Sequence, residues 1–437
     1  MRAPLCVSAA TWLAAGSIAT LAMQVPDSAP SPPATKPPAG GSPLSRPVPR
    51  PTAGKPADFG DGARVAWGFV ERHYQPSTGF VGAIGQYPYV TVWDIGSGLA
   101  VLYCGHELRL LSDEQYDRRL RRALATLRKV PLFDGVAFNK SYNVRSGAMA
   151  SHGDVSSRRG AGWSTTDLGR LLVWLKIVAQ QPSYADDAGA IVKRMNLARL
   201  VRDGYLWGST LERQGLREYQ EGRIGYEQYA AQGFAAWGLQ AAKALDFKEN
   251  GAPITVMGKT VLADLRGEDR YTSEPLLLLG LEHGWTPEAE RLARELLAAQ
   301  EERYRRTGRV TMVSEDAIGR PPFFFYYYCA YTNGKEFGID VQDRLATADG
   351  PRWVSTKTAF AWDALLASDY TRRGLSATAA SRAPGGWGSG VYEDNGRSTG
   401  TANINTQAVV LESALVKRTG RPLLAPASRA SGGTPGR

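Results

Sequence analysis

The sequence has few residues of the kinds that bind metals or form disulfides. Three cysteines (Cys6, Cys104 and Cys329) and four histidines occur in 437 residues, with no CxxC or HExxH spacing. We therefore expect no metal site. Cys104 and Cys329 both lie in apolar segments, so we expect buried free thiols, with a disulfide as the alternative if the two meet.

Motifs for nucleotide, hydride and serine-hydrolase chemistry are also missing. The chain has no GxGxxG after a strand pattern, no GxxxxGK[ST] and no GxSxG, and Asp186-Asp187 lacks the third aspartate of a prenyl-type metal box. These absences argue against a bound cofactor.

The positive charge of the chain lies mostly at its two ends. The formal net charge is +10, but segment 26–56 holds four basic residues against one acid, and the chain from Lys417 onward holds five basic residues and no acid. The body is close to neutral and has no cluster of Lys and Arg, so we expect no nucleic-acid partner.

The two ends of the chain predict segments outside the folded body. Residues 1–25 combine Arg2, an uncharged apolar stretch and a small-residue cleavage site, which is typical of a signal peptide. An uncleaved membrane anchor is the alternative. Residues 26–58 are a proline-rich disordered linker and 425–437 a disordered tail, and we expect an exported monomer that is periplasmic, secreted or anchored to the inner membrane.

Residues 59–424 show helical periodicity and are expected to form one domain. The predicted helices cover 62–74, 90–111, 113–129, 164–180, 184–201, 226–245, 273–282, 286–306, 355–368, 370–381 and 403–418. Six of them are apolar on nearly all sides and alternate with charged, amphipathic ones. A helix that is apolar all round is enclosed by others, so we predict an all-α fold with an inner ring inside an outer ring, an (α/α)6 toroid.

The beginnings of the six apolar helices are expected to meet at one face. They lie near Trp93, Trp163, Tyr226, Tyr271, Trp353 and Asn403. Acidic residues and aromatic rings accompany them, and a cleft with both suits a glycan, because sugar rings stack on aromatics and their hydroxyls bind carboxylates. Cleavage needs a protonated carboxylic acid and a carboxylate base. Candidate sugar-binding residues are Trp93, Trp163, Trp207, Tyr226, Tyr229, Glu274, Tyr327, Trp387 and Tyr392.

Several acidic side chains also have structural interpretations. Asp167 with Ser164 fits a helix cap, and Glu274 follows two hydroxyl residues that favour a cap as well. Glu227 at a helix N-terminus could simply complement the helix dipole.

Several segments together resemble the bacterial DUF3131 family: VWDIGS, GWSTTDLGRLL, GYEQYAAQGF, SEDAI with PFFFYYYCAY, STKTAFAWDALL and GVYEDNG with NINTQAVVLESAL. The resemblance spans roughly residues 59–422. More distantly, the layout is similar to that of (α/α)6 glucanases that cut β-1,2-glucans and of glycoamylase-like proteins. That resemblance implies a glycan cleft with an aromatic-flanked glutamate at the start of an inner helix, which matches Glu227 here.

We therefore predict an inverting glycoside hydrolase that acts on a bacterial exopolysaccharide or periplasmic glucan. Glu227 is the predicted general acid, and the predicted base is one of Asp94, Glu315, Asp316 and Glu393. The alternatives are a non-catalytic glycan-binding or polysaccharide-secretion factor and a polysaccharide lyase on the same fold.

Overall fold

A computed structural model describes residues 58–266, 270–330, 336–341 and 350–424. The predicted leader, the linker up to residue 57 and the predicted tail lie outside these ranges. Within them, no helix is both long enough and apolar enough to cross a membrane.

Thirteen helices lie in the described part of the chain. They are α1 (Phe59–His73), α2 (Val92–Glu107), α3 (Asp113–Leu127), α4 (Thr165–Val178), α5 (Pro182–Lys193), α6 (Leu197–Leu200), α7 (Tyr226–Ala235), α8 (Ala242–Leu245), α9 (Glu274–Leu278), α10 (Pro287–Thr307), α11 (Thr356–Leu366), α12 (Asp369–Ala377) and α13 (Ile404–Thr419). A π-helical turn, Leu279–His283, extends α9, and a 3₁₀ turn, Thr378–Ser381, extends α12.

Short strands lie between the helices, so the all-α prediction is corrected to a helix-rich fold with small antiparallel sheets. The strands are β1 (Tyr89–Thr91), β2 (Leu132–Phe133), β3 (Ala137–Phe138), β4 (Ser141–Asn143), β5 (Val201–Arg202), β6 (Tyr205–Glu212), β7 (Gly215–Gln220), β8 (Gly251–Val256), β9 (Lys259–Asp264), β10 (Glu315–Ala317), β11 (Phe324–Tyr327), β12 (Ile339–Val341), β13 (Trp353–Ser355), β14 (Arg382–Ala383), β15 (Gly386–Trp387) and β16 (Gly390–Tyr392). They pair as β1–β4, β2–β3, β5–β6–β7, β8–β9, β10–β11–β12, β13–β16 and β14–β15.

Six helices, which we call the inner helices, follow one another in a circuit. Helix α2 packs against α4, α4 against α7, α7 against α9, α9 against α11, α11 against α13, and α13 against α2. The remaining long helices each pack on a member of this circuit: α1 on α13, α3 on α2, α5 on α4, α10 on α9 and α12 on α11. The inner helices are buried nearly all round because each has helices on several sides.

Small residues let two inner helices approach closely. A Cβ at Gly169 of α4 would lie 2.4 Å from the Cα of Ala230 in α7, and one at Gly233 would lie 2.3 Å from the Gly169 carbonyl oxygen. The small residues Ala230 and Gly233 of α7 are thus a packing requirement. Cys104 and Cys329 are both buried and free, as predicted.

The substitution Gly169→Ala is expected to lower the free energy of unfolding by about 1–3 kcal/mol, because the new methyl group overpacks the α4–α7 contact. Urea unfolding followed by circular dichroism measures this. Gly189→Ala on α5 is the matched control, since a Cβ there meets no atom within 4 Å, and it should stabilise by about 0.5–1 kcal/mol. A neutral Gly169→Ala would contradict the close packing of the two helices.

Candidate active site

A cavity of about 260 Å³ opens where the inner helices begin. Each of the six contributes residues from its N-terminal turn or the residue before it: Trp93 and Asp94 (α2), Ser164, Thr166 and Asp167 (α4), Tyr226 (α7), Glu274 (α9), Lys357 (α11), and Asn403 and Asn405 (α13). The predicted meeting of the helix starts at one face is therefore found. Helix N-termini favour negative charge, which suits the acidic lining.

Asp94 is held in the cavity wall by three donors. It forms a capping box with Thr91, whose backbone N–H and hydroxyl both donate to Asp94 Oδ2 at 2.9 Å. The Asn405 amide donates to Oδ1 at 3.0 Å. Burial raises the pKa of Asp94, against the lowering effect of these donors and of Arg170. The hydrogen bonds favour its charged form.

Asp167 and Glu221 lie beside Asp94 and together form an acidic cluster. Glu221 Oε2 accepts from the backbone N–H of Thr165 and from its hydroxyl. Asp167 is partly exposed to the cavity, and its side chain has a hydrogen-bond partner in the Ser164 hydroxyl. Burial and then the neighbouring Glu221 and Asp94 charges raise the pKa of Asp167 well above its usual range. Burial and neighbouring negative charge both disfavour the charged form of Asp167.

Lys140 supplies the positive charge of this cluster. It is fully buried, and its Nζ lies 3.4 Å from the Tyr219 hydroxyl. Burial lowers the pKa of Lys140, whereas Glu221 and Asp167 raise it. Its charge partly offsets the repulsion between the two carboxyl groups.

The other side of the cavity holds carboxylates that are already paired. Glu274 Oε2 accepts from the Tyr226 hydroxyl at 2.8 Å and from Lys357 Nζ at 2.6 Å. Glu315 forms a two-pronged pair with Arg223. These contacts fix both carboxylates in place.

Asp316 lies in the same wall, and one of its oxygens has an ion-pair contact in place of a hydrogen bond. Its Oδ2 accepts from Trp353 Nε1 at 2.8 Å, whereas Oδ1 has no hydrogen bond among the described residues and lies 3.6 Å from Lys357 Nζ. Burial raises the pKa of Asp316 to about 6, against the lowering effect of Lys357. It is ionised at neutral pH and can still accept a proton.

Aromatic rings flank the carboxylates on two sides. Tyr87 and Tyr89 pair at a centroid distance of 5.9 Å near β1, and Phe324 and Tyr326 pair at 5.2 Å on β11. All four line the cavity, together with Trp93 and Tyr226. Rings at alternate strand positions share a face, so each pair presents a joint apolar surface.

Glu227 is placed elsewhere than its predicted role requires. Its side chain is fully buried and lies 2.8 Å from Arg266 Nη1. A Cβ at Gly222, which lines the cavity, would meet Glu227 atoms at 2.7–2.9 Å, so Glu227 lies behind the cavity wall. Burial raises its pKa to about 7, against the lowering effect of Arg266. The role of general acid at Glu227 stays a prediction; in this structure its carboxyl is buried, ion-paired and outside the cavity lining.

Glu393 and Tyr327 are also outside the cavity lining. Glu393 pairs with Arg303 at 2.9 Å and accepts from the Tyr327 hydroxyl at 2.7 Å. The two side chains are hydrogen-bonded to each other away from the cavity. Their roles as base and sugar-binding residue stay predictions.

Five further aromatic candidates do not line the cavity, and buried contacts explain where they are placed. Trp163 is fully buried and donates to the Trp207 carbonyl, and Arg202 stacks on Trp207 at 3.9 Å. Tyr229 donates to Glu282 and Trp387 to the Gly62 carbonyl. Tyr392 pairs with Trp353 across β13 and β16. A strand or helix start places an aromatic ring near the site, but only tertiary packing decides which way it points.

Sequence reasoning missed several cavity residues. The omitted ones are Tyr87, Tyr89, Lys140, His152, Asp154, Glu221, Arg223, Arg270, Phe324 and Asn405, and Asp167 was interpreted as a cap. The capping interpretation is half right, because Ser164 accepts from the Asp167 N–H. A usable signal existed for Glu221, which immediately precedes the Gly-Arg turn before α7.

Comparison with known proteins places the chain in a family. The description "Protein of unknown function (DUF3131)" matches residues 61–420. The chain belongs to the DUF3131 family. No curated protein matches this DUF3131 chain.

Solved structures share the fold of the DUF3131 chain at low sequence identity. A protein from Bacteroides fragilis assigned as a glucoamylase aligns with a TM-score of 0.60 and 15% identity over 86% of this chain and 94% of its own. The endo-β-1,2-glucanase of Chitinophaga pinensis, in complex with sophorotriose and glucose, aligns with a TM-score of 0.59 and 12% identity over 84% and 93%. A variant of the Talaromyces funiculosus endo-β-1,2-glucanase bound to β-1,2-glucan aligns with a TM-score of 0.54 and 12% identity over 84% and 85%. These likenesses establish the fold as that of glucanase-like and glucoamylase-like proteins.

Proposed function

We propose that this protein is an inverting glycoside hydrolase that acts on a bacterial exopolysaccharide or periplasmic glucan, within an (α/α)6 double ring. The observation that carries the proposal is the cavity at the six inner-helix starts, which combines a carboxyl group of raised pKa at Asp167, further carboxyl groups and flanking aromatic rings. The structural neighbours that bind β-1,2-glucan or sophorotriose support a glucan substrate. Export through the N-terminal segment would bring the enzyme to such a glycan.

Asp167 is the proposed general acid. A general acid must carry its proton near neutral pH, and burial followed by the charges of Glu221 and Asp94 raises the pKa of Asp167 well above its usual range, which supports this role. Asp167 also faces the cavity, unlike Glu227. It donates this proton to the glycosidic oxygen as the bond from that oxygen to the anomeric carbon breaks.

Asp94 is the proposed general base. Its carboxylate takes one proton from a water molecule as the water oxygen forms a bond to the anomeric carbon from the face opposite the leaving group. The product therefore has inverted configuration, and a proton passes from Asp94 back to Asp167 through solvent before the next turnover. Asp316 and Glu315 remain cavity carboxylates that can accept the same proton if Asp94 does not.

A panel of bacterial glucans, β-1,2-glucan among them, tests the activity through released oligosaccharides. Proton NMR of the first product tests inversion, because the initial anomer is opposite to that of the substrate linkage. Binding without cleavage would favour a non-catalytic glycan-binding or secretion factor. Products that absorb in the ultraviolet would indicate a lyase.

The substitution Glu227→Gln is expected to reduce kcat by less than about 100-fold, which is the smallest loss that removal of a general acid usually causes. The reason is that Glu227 contacts Arg266 and not the cavity. Initial rates on the responsive glucan measure this. Inactivity of a folded Glu227→Gln protein, equal to that of Asp167→Asn, would return the acid role to Glu227.

A further inference from the structure

A chain of hydrogen bonds leads from the cavity into the centre of the inner helices. Arg170 of α4 donates from Nε to Ser97 Oγ at 2.9 Å, and Ser97 Oγ donates to Asn405 Oδ1 at 2.7 Å. Asn405 Nδ2 then donates to Asp94 Oδ1 at 3.0 Å. The chain joins α4, α2 and α13, and Asp94 is its only member proposed above to react.

Arg170 sets the direction of every bond in this chain. A guanidinium group has donors and no acceptor, so Ser97 Oγ must accept from it and point its own proton toward Asn405. The Asn405 oxygen is thereby occupied, and its NH₂ group must face Asp94. Asp94 Oδ1 consequently receives a donor, and its other oxygen receives two from Thr91.

The position of Arg170 is itself fixed on several sides. It is 1% exposed and donates to Glu282 and Glu412 at 2.9 Å each and to the Tyr229 hydroxyl at 3.2 Å. A Cβ at Gly96 would lie 3.1 Å from Arg170 Cγ, so the absence of a side chain there gives the arginine its space. With its two Nη groups engaged by the glutamates, Nε is left to face Ser97.

We infer that Arg170, acting through Ser97 and Asn405, is a positioning residue that fixes Asp94 as a hydrogen-bond acceptor and so assigns it the general-base role. This inference rests on the proposed function. The titratable and charged groups around Asp94 are Arg170 and Asp167 from α4 and Tyr87 beside β1. Helix α13 presents the neutral Asn405 to Asp94, and its Glu412 is ion-paired with Arg170. Asp167 opposes ionisation of Asp94, and the chain from Arg170 favours it.

Two substitutions test the chain through the acidic limb of the kcat/KM pH profile. Ser97→Ala removes the group that orients Asn405 and should move this limb upward by about 0.5–1 pH unit, because the hydrogen bond from Asn405 to the Asp94 carboxylate is weakened rather than removed. Asn405→Asp replaces a donor with a like charge and should move it upward by about 1–3 units. Ser413→Ala is the matched control: Ser413 is equally buried on α13 but donates to the Val409 carbonyl, outside the chain.

A second measurement separates failure of this inference from failure of the proposed function. Carbon-13 NMR of protein labelled at the aspartate carboxyl groups, with the Asp94 signal assigned by its loss in Asp94→Asn, gives the pKa of Asp94 without any substrate. A higher pKa in Ser97→Ala than in Ser413→Ala supports the chain even if no glucan is cleaved. Equal Asp94 titrations in those two variants would overturn the inference, whatever the activity.

Discussion

Asp167→Asn is expected to reduce kcat on the responsive glucan by about 10²- to 10⁴-fold, the usual contribution of a general acid. Asparagine preserves the shape of the side chain but cannot supply the proton. Because the pKa of Asp167 is raised by burial and by Glu221 and Asp94, wild-type activity should fall as the pH rises through that pKa. This loss of activity at high pH should be absent in the variant. Its pH profile should keep only the loss of activity at low pH, which protonation of the general base causes.

The leaving group gives a sharper test of the same role. A nitrophenyl glycoside of the oligosaccharide that the wild type releases departs without protonation, so Asp167→Asn should retain far more activity on it than on the glucan. Asp186→Asn, on the exposed face of α5, is the matched control and should keep both activities. Equal losses of Asp167→Asn on both substrates would show that Asp167 is not the acid.

The helices could be predicted well because their pattern is local. All eleven predicted segments contain a helix, and the six apolar ones begin around the cavity. The strands were missed because most have two or three residues, which is too few to show an alternating pattern. The longer hairpin β8–β9 carries an alternating pattern, and its end places Asp264 and Arg266 against Glu227.

That hairpin explains why the predicted acid and the acid proposed from the geometry differ. Glu227 and Asp167 both lie in the first turn of an inner helix close to aromatic residues, and nothing local separates them. Arg266 pairs with Glu227 from a segment some forty residues away in sequence, whereas Asp167 lies near Glu221, the residue that follows β7. Which acid faces the cavity is therefore decided by long-range contacts, and helical periodicity does not report them.

The substitution Arg170→Leu is expected to cost about 3–5 kcal/mol of stability, the range for breaking a buried ion pair. Glu282 and Glu412 are both fully buried and both bind this arginine. Without it, two carboxyl groups share a dry interior with neutral partners, Trp174 and Tyr229. Arg121→Leu is the control: its exposed pair with Asp117 on α3 should contribute less than about 1 kcal/mol.

The cost of Arg170→Leu should depend on pH in a defined direction. In the wild type one arginine faces two carboxyl groups, and burial raises the pKa of Glu412 to about 8, so the pair keeps one proton in the folded state and none when unfolded at neutral pH. Without the arginine, the two buried glutamates of the folded protein favour binding of a second proton. A carboxyl whose folded pKa lies above its unfolded value stabilises most at low pH, and this contribution is lost as the pH rises toward the folded pKa.

The free energy of unfolding of Arg170→Leu should therefore fall relative to that of the wild type by up to about 1.4 kcal/mol per pH unit between pH 5 and pH 8. Urea unfolding at pH 5, 6.5 and 8 measures this slope, and a stability difference that is the same at all three would show that the two glutamates do not take up the missing charge.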